Sequence, residues 1–565
     1  MKTILLTLSF TILTLSAHAA TPLQIKILGI SGEMLTNVIT RLQLKQEDIT
    51  QYTKTTITTF YQEVPQEIAK ALEPYGYFNS TITSHTLKHK KNHWEITMQV
   101  APGPPVKITT IDLVISGLGT TDKKLQQRLQ NFPLKNGDIF RTDNYNAAKQ
   151  FLFDTAGVYG YINAALTHKE VKINLATNTA TIILHFDTGL QHYFGPTTFT
   201  TPFFSKKFLA KFLPYQQGEV YSSNKISMLQ EALNNSNFFS ETIVTPQVTK
   251  AKQVPIEVTL TPRKAKQYHL GAGYGTDTGL RGSLGIELRH LTPTGHSFKG
   301  LIQGSQVQNN LALHYLIPGR RPTTDLYDIN IAMETLALPH GKSTTIQTGF
   351  GYITVVQGWR QTIKLSLQHE RYKLSQQPYQ NSTLLIPSIN WLHSNSDNPT
   401  KPTKGHSINI NIQGANKYLL ATNNFLQSQV DAKYLQTFFT RIQLLLRTTL
   451  GFTAIDNINN LPLSLQFYTG GIRTIRGFGY NTIGPGRNLA VGSIELRHKI
   501  VADWYLATFF DVGNASNNLW QKPQQGLGLG IVLRSIIGTL ELTFAKAISK
   551  PGTPGKIQFS LGAEL

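Results

Sequence analysis

The stretch His406-Ser-Ile-Asn-Ile-Asn-Ile-Gln413 (HSININIQ) alternates strictly between polar and isoleucine residues from Ser407 onward. Successive side chains point to opposite faces of a β-strand, so this pattern gives one face that is wholly apolar and one that is wholly polar. The segments Thr362 to Glu370 and Arg441 to Leu450 show the same pattern. This part of the chain is therefore predicted to form β-strands that separate an apolar from a polar environment.

About sixteen such strands of about ten residues follow one another from Tyr268 onward, separated by turn residues. A soluble sandwich also alternates, so the pattern alone does not decide between the two architectures. The number of strands and the tryptophans near predicted strand ends (Trp359, Trp391, Trp504) favour an all-β transmembrane antiparallel barrel over residues 265–565. Such a barrel must close, because unpaired backbone groups in hydrocarbon cost several kcal/mol each. The final stretch, Ile557 to Leu565, places every second, apolar residue toward lipid.

Residues 1–19 have the pattern of a cleaved secretory signal peptide, with Lys2, an apolar run from Ile4 to Leu15, and small residues at Ala17 and Ala19. The alternative is a membrane anchor, but the apolar run is short for that role. The chain contains no cysteine, so disulfides cannot stabilise the exported protein.

The chain carries 53 basic and 32 acidic residues, a formal net charge of +21. For an exported protein, the expected counterparts of this charge are the lipid bilayer and lipopolysaccharide. Nucleic acid is not expected, because the sequence contains no zinc-ligand cluster, RNA-binding motif or helix-turn-helix pattern. A compositional drift toward lysine is an equally good explanation of the charge.

Three repeats precede the barrel, each with the order β-α-α-β-β, so the N-terminal half is predicted to be α+β. The turn into the second strand of each repeat is Tyr75-Gly-Tyr-Phe78, Tyr159-Gly-Tyr-Ile162 and Ser236-Asn-Phe-Phe239, spaced by 84 and 77 residues. A second echo, Gly137-Asp-Ile-Phe140 and Gly218-Glu-Val-Tyr221, recurs after 81 residues. The modules are assigned to residues 20–101, 102–189 and 190–264, and Pro102-Gly-Pro-Pro105 joins the first two.

No pattern for catalysis, cofactor binding or metal binding is found, so the protein is not expected to be an enzyme. The glycine-rich segments Gly271 to Gly275 and Gly526 to Gly530 lack the lysine and the helix start of a phosphate-binding loop. The Ser, His and Asp residues form no recognisable hydrolase arrangement.

The segment Thr474-Ile-Arg-Gly-Phe-Gly-Tyr480 places one arginine among glycines, which would let a loop approach the barrel wall from inside. Arg476, if held away from water there, needs a carboxylate partner. Strand alternation puts both Asp511 and Glu495 on the face opposite apolar residues, and this reasoning leaves open which of them pairs with Arg476. The alternative is a solvated extracellular loop in which the arginine is incidental.

The three modules, the barrel, the loop motif Arg476-Gly477-Phe478 and the strand motif Phe510-Asp-Val-Gly513 together resemble the BamA/TamA outer-membrane insertase superfamily. The modules are similar to its POTRA domains, and their number favours the TamA branch over BamA or the two-partner-secretion transporters. The segment Arg534 to Thr539 lacks the prolines expected in that turn, and the terminal residue is Leu565 rather than an aromatic. The resemblance implies that Arg476 pairs with Asp511 and that Gly513 belongs to the strand motif.

The resemblance also implies a lateral seam between the first and last barrel strands, where Gly271, Gly273, Gly275 and Gly562 weaken the contact. A client strand would be templated there without nucleotide hydrolysis, so the expected function is assembly of outer-membrane β-barrel and autotransporter proteins. A simpler explanation of the small inward residues is that they make room for a plug. The implied partners are an inner-membrane-anchored TamB-like protein, bound by the modules in the periplasm, and unfolded outer-membrane clients. The rival function is a two-partner-secretion pore that passes polypeptide through the lumen.

Overall fold

A computed structural model describes residues 23–47, 49, 51–91, 93–249, 251–375, 377–518, 520–535 and 538–562. The predicted signal peptide lies outside the described residues, as do Ala563 and Leu565 of the last strand. No helix within the described ranges is long and apolar enough to cross a membrane. The described residues divide into two compact units, and the division runs through the third module. Those up to residue 197, together with those in 215–227 and 246–256, form one unit, and the other described residues form the second.

Each module folds in the predicted order, with its last strand in the centre of a three-stranded sheet. The last strand is central because it pairs in parallel with the first strand and antiparallel with the second in modules 1 and 2. The elements of module 1 are β1 (Leu23–Leu28), α1 (Gly32–Glu47), α2 (Lys54–Leu72), β2 (Thr81–Lys90) and β3 (His93–Ala101). Those of module 2 are β4 (Lys107–Ser116), α3 (Lys123–Leu129), α4 (Thr142–Val158), β5 (Ala165–Asn174) and β6 (Thr179–Asp187). Those of module 3 are β7 (Tyr193–Thr200), α5 (Lys206–Leu209), α6 (Ser223–Asn235), β8 (Phe239–Pro246) and β9 (Gln253–Pro262).

The repeated glycine turns join one module to the next. Gly76 and Gly160 both have φ near +90°, a backbone conformation that favours glycine. The carbonyl of Gly76 accepts a hydrogen bond from Val106 N at 2.8 Å, and that of Gly160 accepts one from His192 N at 2.8 Å. The repeated turn sequence therefore marks the position at which modules 1 and 2 each form a hydrogen bond to the start of the following module.

The sixteen remaining long strands form one antiparallel sheet in which every strand pairs with its neighbours in chain order, and the sheet curls into a nearly closed barrel. The first ten strands are β10 (Lys266–Gly275), β11 (Gly279–Leu288), β12 (Ser297–Gly304), β13 (Gln308–Pro318), β14 (Leu326–Leu338), β15 (Gly341–Val356), β16 (Trp359–Leu374), β17 (Gln380–Ser396), β18 (Lys404–Ala415) and β19 (Phe425–Phe438). A short hairpin, β21 (Phe467–Thr469) and β22 (Ile483–Gly486), lies between β20 and β23. The remaining barrel strands are β20 (Ile442–Ala454), β23 (Asn488–Val501), β24 (Trp504–Ser516), β25 (Gln524–Ser535), β26 (Gly538–Ala547) and β27 (Lys556–Gly562).

The predicted alternation holds along the barrel strands. On β16, Ile363 and Leu365 expose 55% and 48% of their surface, whereas Ser366 and Glu370 expose 2% and 0%. The apolar face therefore points outward and the polar face points into the lumen. Trp391 was expected near a strand end but lies inside β17, because that strand is 17 residues long and not about ten.

Candidate functional site

The connection between β20 and β23, residues 455–487, turns back into the barrel, and we call it the arginine loop. The hairpin β21–β22 closes its neck, with Phe467 opposite Gly486. At its tip Gly477 has a φ of +89°, and a Cβ on this residue would lie 2.7 Å from Ala547 N of β26. Only glycine permits so close an approach of the loop to the wall.

Arg476 is fully buried at this tip and is bound by both carboxylates that the strand pattern placed in the lumen. Its Nε and Nη2 donate to Oδ2 and Oδ1 of Asp511, each at 2.8 Å, and its Nη1 donates to Glu495 Oε2 at 2.5 Å. The backbone N–H of Arg476 also donates to Asp511 Oδ2, at 3.0 Å. Two parallel N–H donors on one carboxylate form the planar, bidentate pair that arginine makes and lysine cannot.

Further contacts complete the surroundings of the guanidinium. Nη2 of Arg476 donates to Ser493 Oγ at 3.2 Å, and its guanidinium carbon lies 3.3 Å from the ring centroid of Phe509. A Cβ on Gly526 would lie 2.1 Å from the carbonyl oxygen of Arg476, so the loop backbone rests directly on β25. Sequence reasoning did not identify Ser493, Phe509 or Gly526, although all three have the parity of lumen-facing positions.

Charges balance around this pair. Glu495 Oε1 accepts from Arg497 Nε at 2.6 Å, and Arg447 Nη2 lies 3.5 Å from Glu495 Oε2. Arg497 Nη2 also donates to Glu541 at 3.0 Å. Three guanidiniums thus meet three carboxylates, which offsets the cost of burying Arg476, Arg497, Glu495 and Asp511 away from water.

The other residues of the two motifs have packing roles. Phe478 is buried in an apolar cluster with residues that include Phe467, Ile475 and Val491. Gly513 does not contact Arg476 in any hydrogen bond or ion pair that the structure describes. A Cβ on Gly513 would lie 2.3 Å from Ala490 O, so it permits close pairing of β24 with β23.

The arginine loop also binds the opposite wall of the lumen. Ser464 donates its backbone N–H to Glu370 Oε1 at 3.1 Å, and its hydroxyl donates to Glu370 Oε2. Gln427 Nε2 donates to Leu465 O at 2.8 Å. Because Glu370 is on β16 and Asp511 is on β24, the loop crosses the lumen and is fixed at both sides.

The seam is the pair of edges that β10 and β27 present to each other. Over residues 266–275 and 556–562, no backbone hydrogen bond joins these two strands; β10 pairs with β11 and β27 pairs with β26. Phe559 N donates to the side-chain oxygen of Thr276 at 3.3 Å, and Arg281 Nη2 donates to Leu561 O at 3.5 Å. Of the predicted seam glycines, Gly271, Gly273 and Gly275 lie on the lumenal face of β10, while Gly562 pairs with Thr539 of β26.

Two side chains connect the seam to the arginine loop. Asp277, in the turn after β10, accepts from Ile472 N at 2.8 Å and from Gln558 Nε2 at 3.2 Å. Gln558 is a buried residue of β27, and its Oε1 accepts from Gly477 N at 3.2 Å. The first hairpin, the last strand and the arginine motif therefore meet at Asp277 and Gln558.

A barrel with a polar lumen that follows β-α-α-β-β modules is the architecture of one class of protein. This class is the outer-membrane β-barrel proteins with periplasmic POTRA modules. Residues 291–565 match the Omp85 superfamily domain, and residues 24–102 match POTRA domain TamA domain 1. The chain thus carries an Omp85 superfamily domain and a TamA-type POTRA domain. It lies in the outer membrane with its N-terminal modules in the periplasm.

Two similar proteins are outer membrane protein assembly factors BamA. The chain is 20% identical over 467 residues to that of Neisseria meningitidis serogroup B, which covers 75% of this chain and 57% of the relative. It is 20% identical over 534 residues to that of Nitratidesulfovibrio vulgaris, covering 86% of this chain and 66% of the relative. The chain therefore spans less than two thirds of the length of either relative.

A solved structure has the same fold. BamA from Haemophilus ducreyi lacking POTRA domains 1–3 superposes with a TM-score of 0.69 at 18% identity, and the match covers 81% of this chain and 99% of that chain. At this identity the similarity establishes the fold of modules and barrel alone.

Proposed function

We propose that this protein is an outer-membrane assembly factor that helps client β-barrel and autotransporter proteins to insert and fold by templating their strands at the seam, without nucleotide hydrolysis. The observation that carries the proposal is the missing backbone ladder between β10 and β27 in the described part of both strands. An unpaired strand edge is a template for another strand, and pairing with it satisfies backbone groups that lipid cannot. The driving force is the client's own burial of apolar surface and its backbone pairing.

The arginine loop sets the resting width of the seam in this proposal. Asp277 and Gln558 are held by the loop backbone at Ile472 and Gly477, and the loop is fixed by the Arg476 ion pairs. Side-chain hydrogen bonds of this number are weak compared with a full ladder, because each contributes about 1 kcal/mol. The seam can therefore be closed at rest and still open to a competing strand.

The partner is proposed to be an inner-membrane-anchored TamB-like protein that binds the first module. The match to a TamA-type POTRA domain covers this module, and β1 is an edge strand of its sheet. Beside that edge, a groove of about 580 Å³ is lined by residues of β1 and α1, among them Leu23, Ile25 and Ile39. An extended partner segment would add to β1 and place alternate side chains in the groove.

A disulfide across the seam tests the function, and the chain has no native cysteine to interfere. Tyr274→Cys with Phe559→Cys places two lipid-facing thiols on β10 and β27 at the level where Phe559 N bonds to Thr276. The matched control, Phe350→Cys with Leu365→Cys, places an outward pair across the full ladder of β15 and β16. Purified protein in liposomes without nucleotide is expected to stop assembling a client when the seam is locked, to recover with reductant, and to be unaffected in the control.

The same experiment separates the rival function. A secretion pore passes its substrate through the lumen, so a locked seam would leave its transport intact. Full activity of the oxidised seam variant would therefore reject strand templating and favour the pore.

A further inference from the structure

Arg281 of β11 lies across the glycines of β10 and reaches the strand on the other side. A Cβ on Gly273 would lie 3.8 Å from Arg281 Nε, and a Cβ on Gly275 would lie 3.8 Å from Arg281 Nη2 and 3.8 Å from Phe559 O. A Cβ at either position would be in ordinary van der Waals contact with Arg281, and a larger lumenal side chain would compete with the guanidinium for the same space. The lumenal glycines therefore open a corridor over β10, in addition to weakening the seam.

The hydrogen bond that Arg281 makes to β27 in the resting barrel is a weak one. Its Nη2 donates to the carbonyl oxygen of Leu561 on β27 at 3.5 Å, the limit of a hydrogen bond, and the acceptor is neutral. A carboxylate is a stronger acceptor for a guanidinium, because the bond is charge-assisted and two N–H groups can take part. The resting contact leaves most of this capacity unused.

A lumenal cavity of about 540 Å³ adjoins this corridor, and Arg281 shares its lining with Arg473 of the arginine loop. The described lining contains no Asp or Glu: it includes Gly271, Gly273, Ser283 and Leu561. A second cavity of about 240 Å³ also touches both arginines, and its carboxylate, Asp277, already accepts from Ile472 N and Gln558 Nε2. Two cations thus face a space of side-chain size beside an unpaired strand edge.

We propose that the larger cavity is an anion-binding site for the lumen-facing side chain of a client strand that pairs with β10, and that Arg281 and Arg473 favour strands with Asp or Glu at the position opposite Gly273. This inference rests on the proposed templating function and names a property of the client. Residues opposite each other in a sheet face the same side, so a client residue beside Gly273 points into the lumen, toward the guanidinium that lies over that glycine. The incoming carboxylate replaces Leu561 O as the partner of Arg281.

The test measures capture of synthetic client strands by full-length protein in zwitterionic vesicles. In the Tyr274→Cys variant, the new thiol forms a disulfide with a cysteine of the peptide strand. The peptides differ at one lumen-facing position, which carries Asp, Asn or Lys. Wild-type arginines are expected to capture the Asp strand roughly tenfold more efficiently than the Asn strand, since the charge-assisted bond replaces a neutral one. Arg281→Gln combined with Arg473→Gln is expected to remove this preference.

Charge reversal gives a positive result that a merely unfolded variant cannot produce. Arg281→Glu combined with Arg473→Glu is expected to prefer the Lys strand over the Asp strand. The control is Arg371→Gln on β16, whose guanidinium lies over Tyr379 outside the cavity and which should retain the wild-type preference.

Each failure has its own meaning. Equal capture of the Asp and Asn strands by the wild-type arginines overturns the anion site, while capture itself still supports strand templating. No capture of any strand overturns the templating function as well. Equal capture together with arginine-dependent binding of phosphatidylglycerol vesicles would assign the cavity to a lipid headgroup and overturn the proposal.

Discussion

Arg476 donates four side-chain hydrogen bonds, three of them to carboxylates, in a place without access to water. Asp511 depends on this guanidinium, whereas Glu495 also contacts Arg447 and Arg497. Removing one member of a buried ion pair leaves an uncompensated charge, so Asp511 is the group that would suffer most from a change at Arg476.

Arg476→Ala is expected to lower the free energy of unfolding of the barrel by about 3–5 kcal/mol, the usual cost of breaking a buried pair. Arg476→Lys should recover part of this loss, because it restores the charge without the planar fork. Urea titration followed by the heat-modifiable gel shift measures both. Arg487→Ala, in the same loop but bonded to the backbone carbonyl of Asp456, is the control. Equal midpoints for the Arg476→Ala and Arg487→Ala variants would show that the ion pairs do not stabilise the barrel.

The alternation of side chains along a strand explains which residues of this site could be predicted from the sequence. Asp511 and Glu495 are on the polar face of their strands, so a buried arginine nearby could be assigned to them from sequence. Phe509 has the same parity as Asp511, so an aromatic residue on the polar face of β24 marks the ring that contacts Arg476. The contact of Asp277 with Gln558 left no local trace, since 281 residues separate the pair and only barrel closure brings them together.

Among the elements, the turn between β17 and β18 (residues 397–403) bonds to residues that are far from its own strands in the sheet. Lys401 Nζ bonds to Asp503 Oδ2 at 2.6 Å, and Arg534 Nη2 donates to Pro402 O. Asp503 follows β23, and β19 and β20 lie between β18 and β23 in the sheet. The modules are periplasmic and the strands alternate in direction, so this turn lies at the periplasmic mouth of the barrel and crosses part of it.

This turn is expected to detach at low pH. Partial burial acts to raise the pKa of Asp397, but hydrogen bonds from the hydroxyl of Thr403 and the N–H groups of Lys404 and Thr403 outweigh it and lower the pKa to about 2. The hydrogen bond from Lys401 likewise lowers the pKa of Asp503. Both carboxylates ionise more readily in the folded state, so each stabilises the turn above its unfolded pKa of about 3.8. The contribution of Asp397 is lost as the pH falls through about 2, and that of Asp503 is lost as the pH falls through its own lowered pKa.

A nitroxide attached at Thr400→Cys is the measurement for this turn. Its spectrum should be immobile at neutral pH and become mobile between about pH 4 and pH 2. Adding Lys401→Ala should make it mobile already at neutral pH, because the contact with Asp503 is gone. If the label moves equally in the parent and in the Lys401→Ala variant at neutral pH, the turn is not held across the mouth.

At the scale of the whole molecule, pairing is unevenly distributed around the barrel. β15, β16 and β17 have 16, 16 and 17 residues and carry ladders on both sides. By contrast, β10 has 10 residues, β27 has 7 within the described part of the chain, and each of these two strands has a ladder on one side. Sequence alternation could locate all of these strands. Their unequal lengths and the unpaired edges were not predictable, because they depend on the shear of the closed barrel and not on any local pattern.

Hydrogen exchange in detergent micelles should therefore begin at the seam. In β10 every second amide points away from β11, and these amides are expected to exchange first, together with the outer edge of β27; the amides of β16 should exchange last. The oxidised Tyr274→Cys and Phe559→Cys variant holds the two edges together, so it should slow exchange in β10 and leave β16 unchanged. The oxidised control pair in β15 and β16 should change neither. Protection of the seam-side amides of β10 equal to that of β16 would mean that the two edges are paired in solution, and opening would then have to break a complete ladder before a client strand could bind.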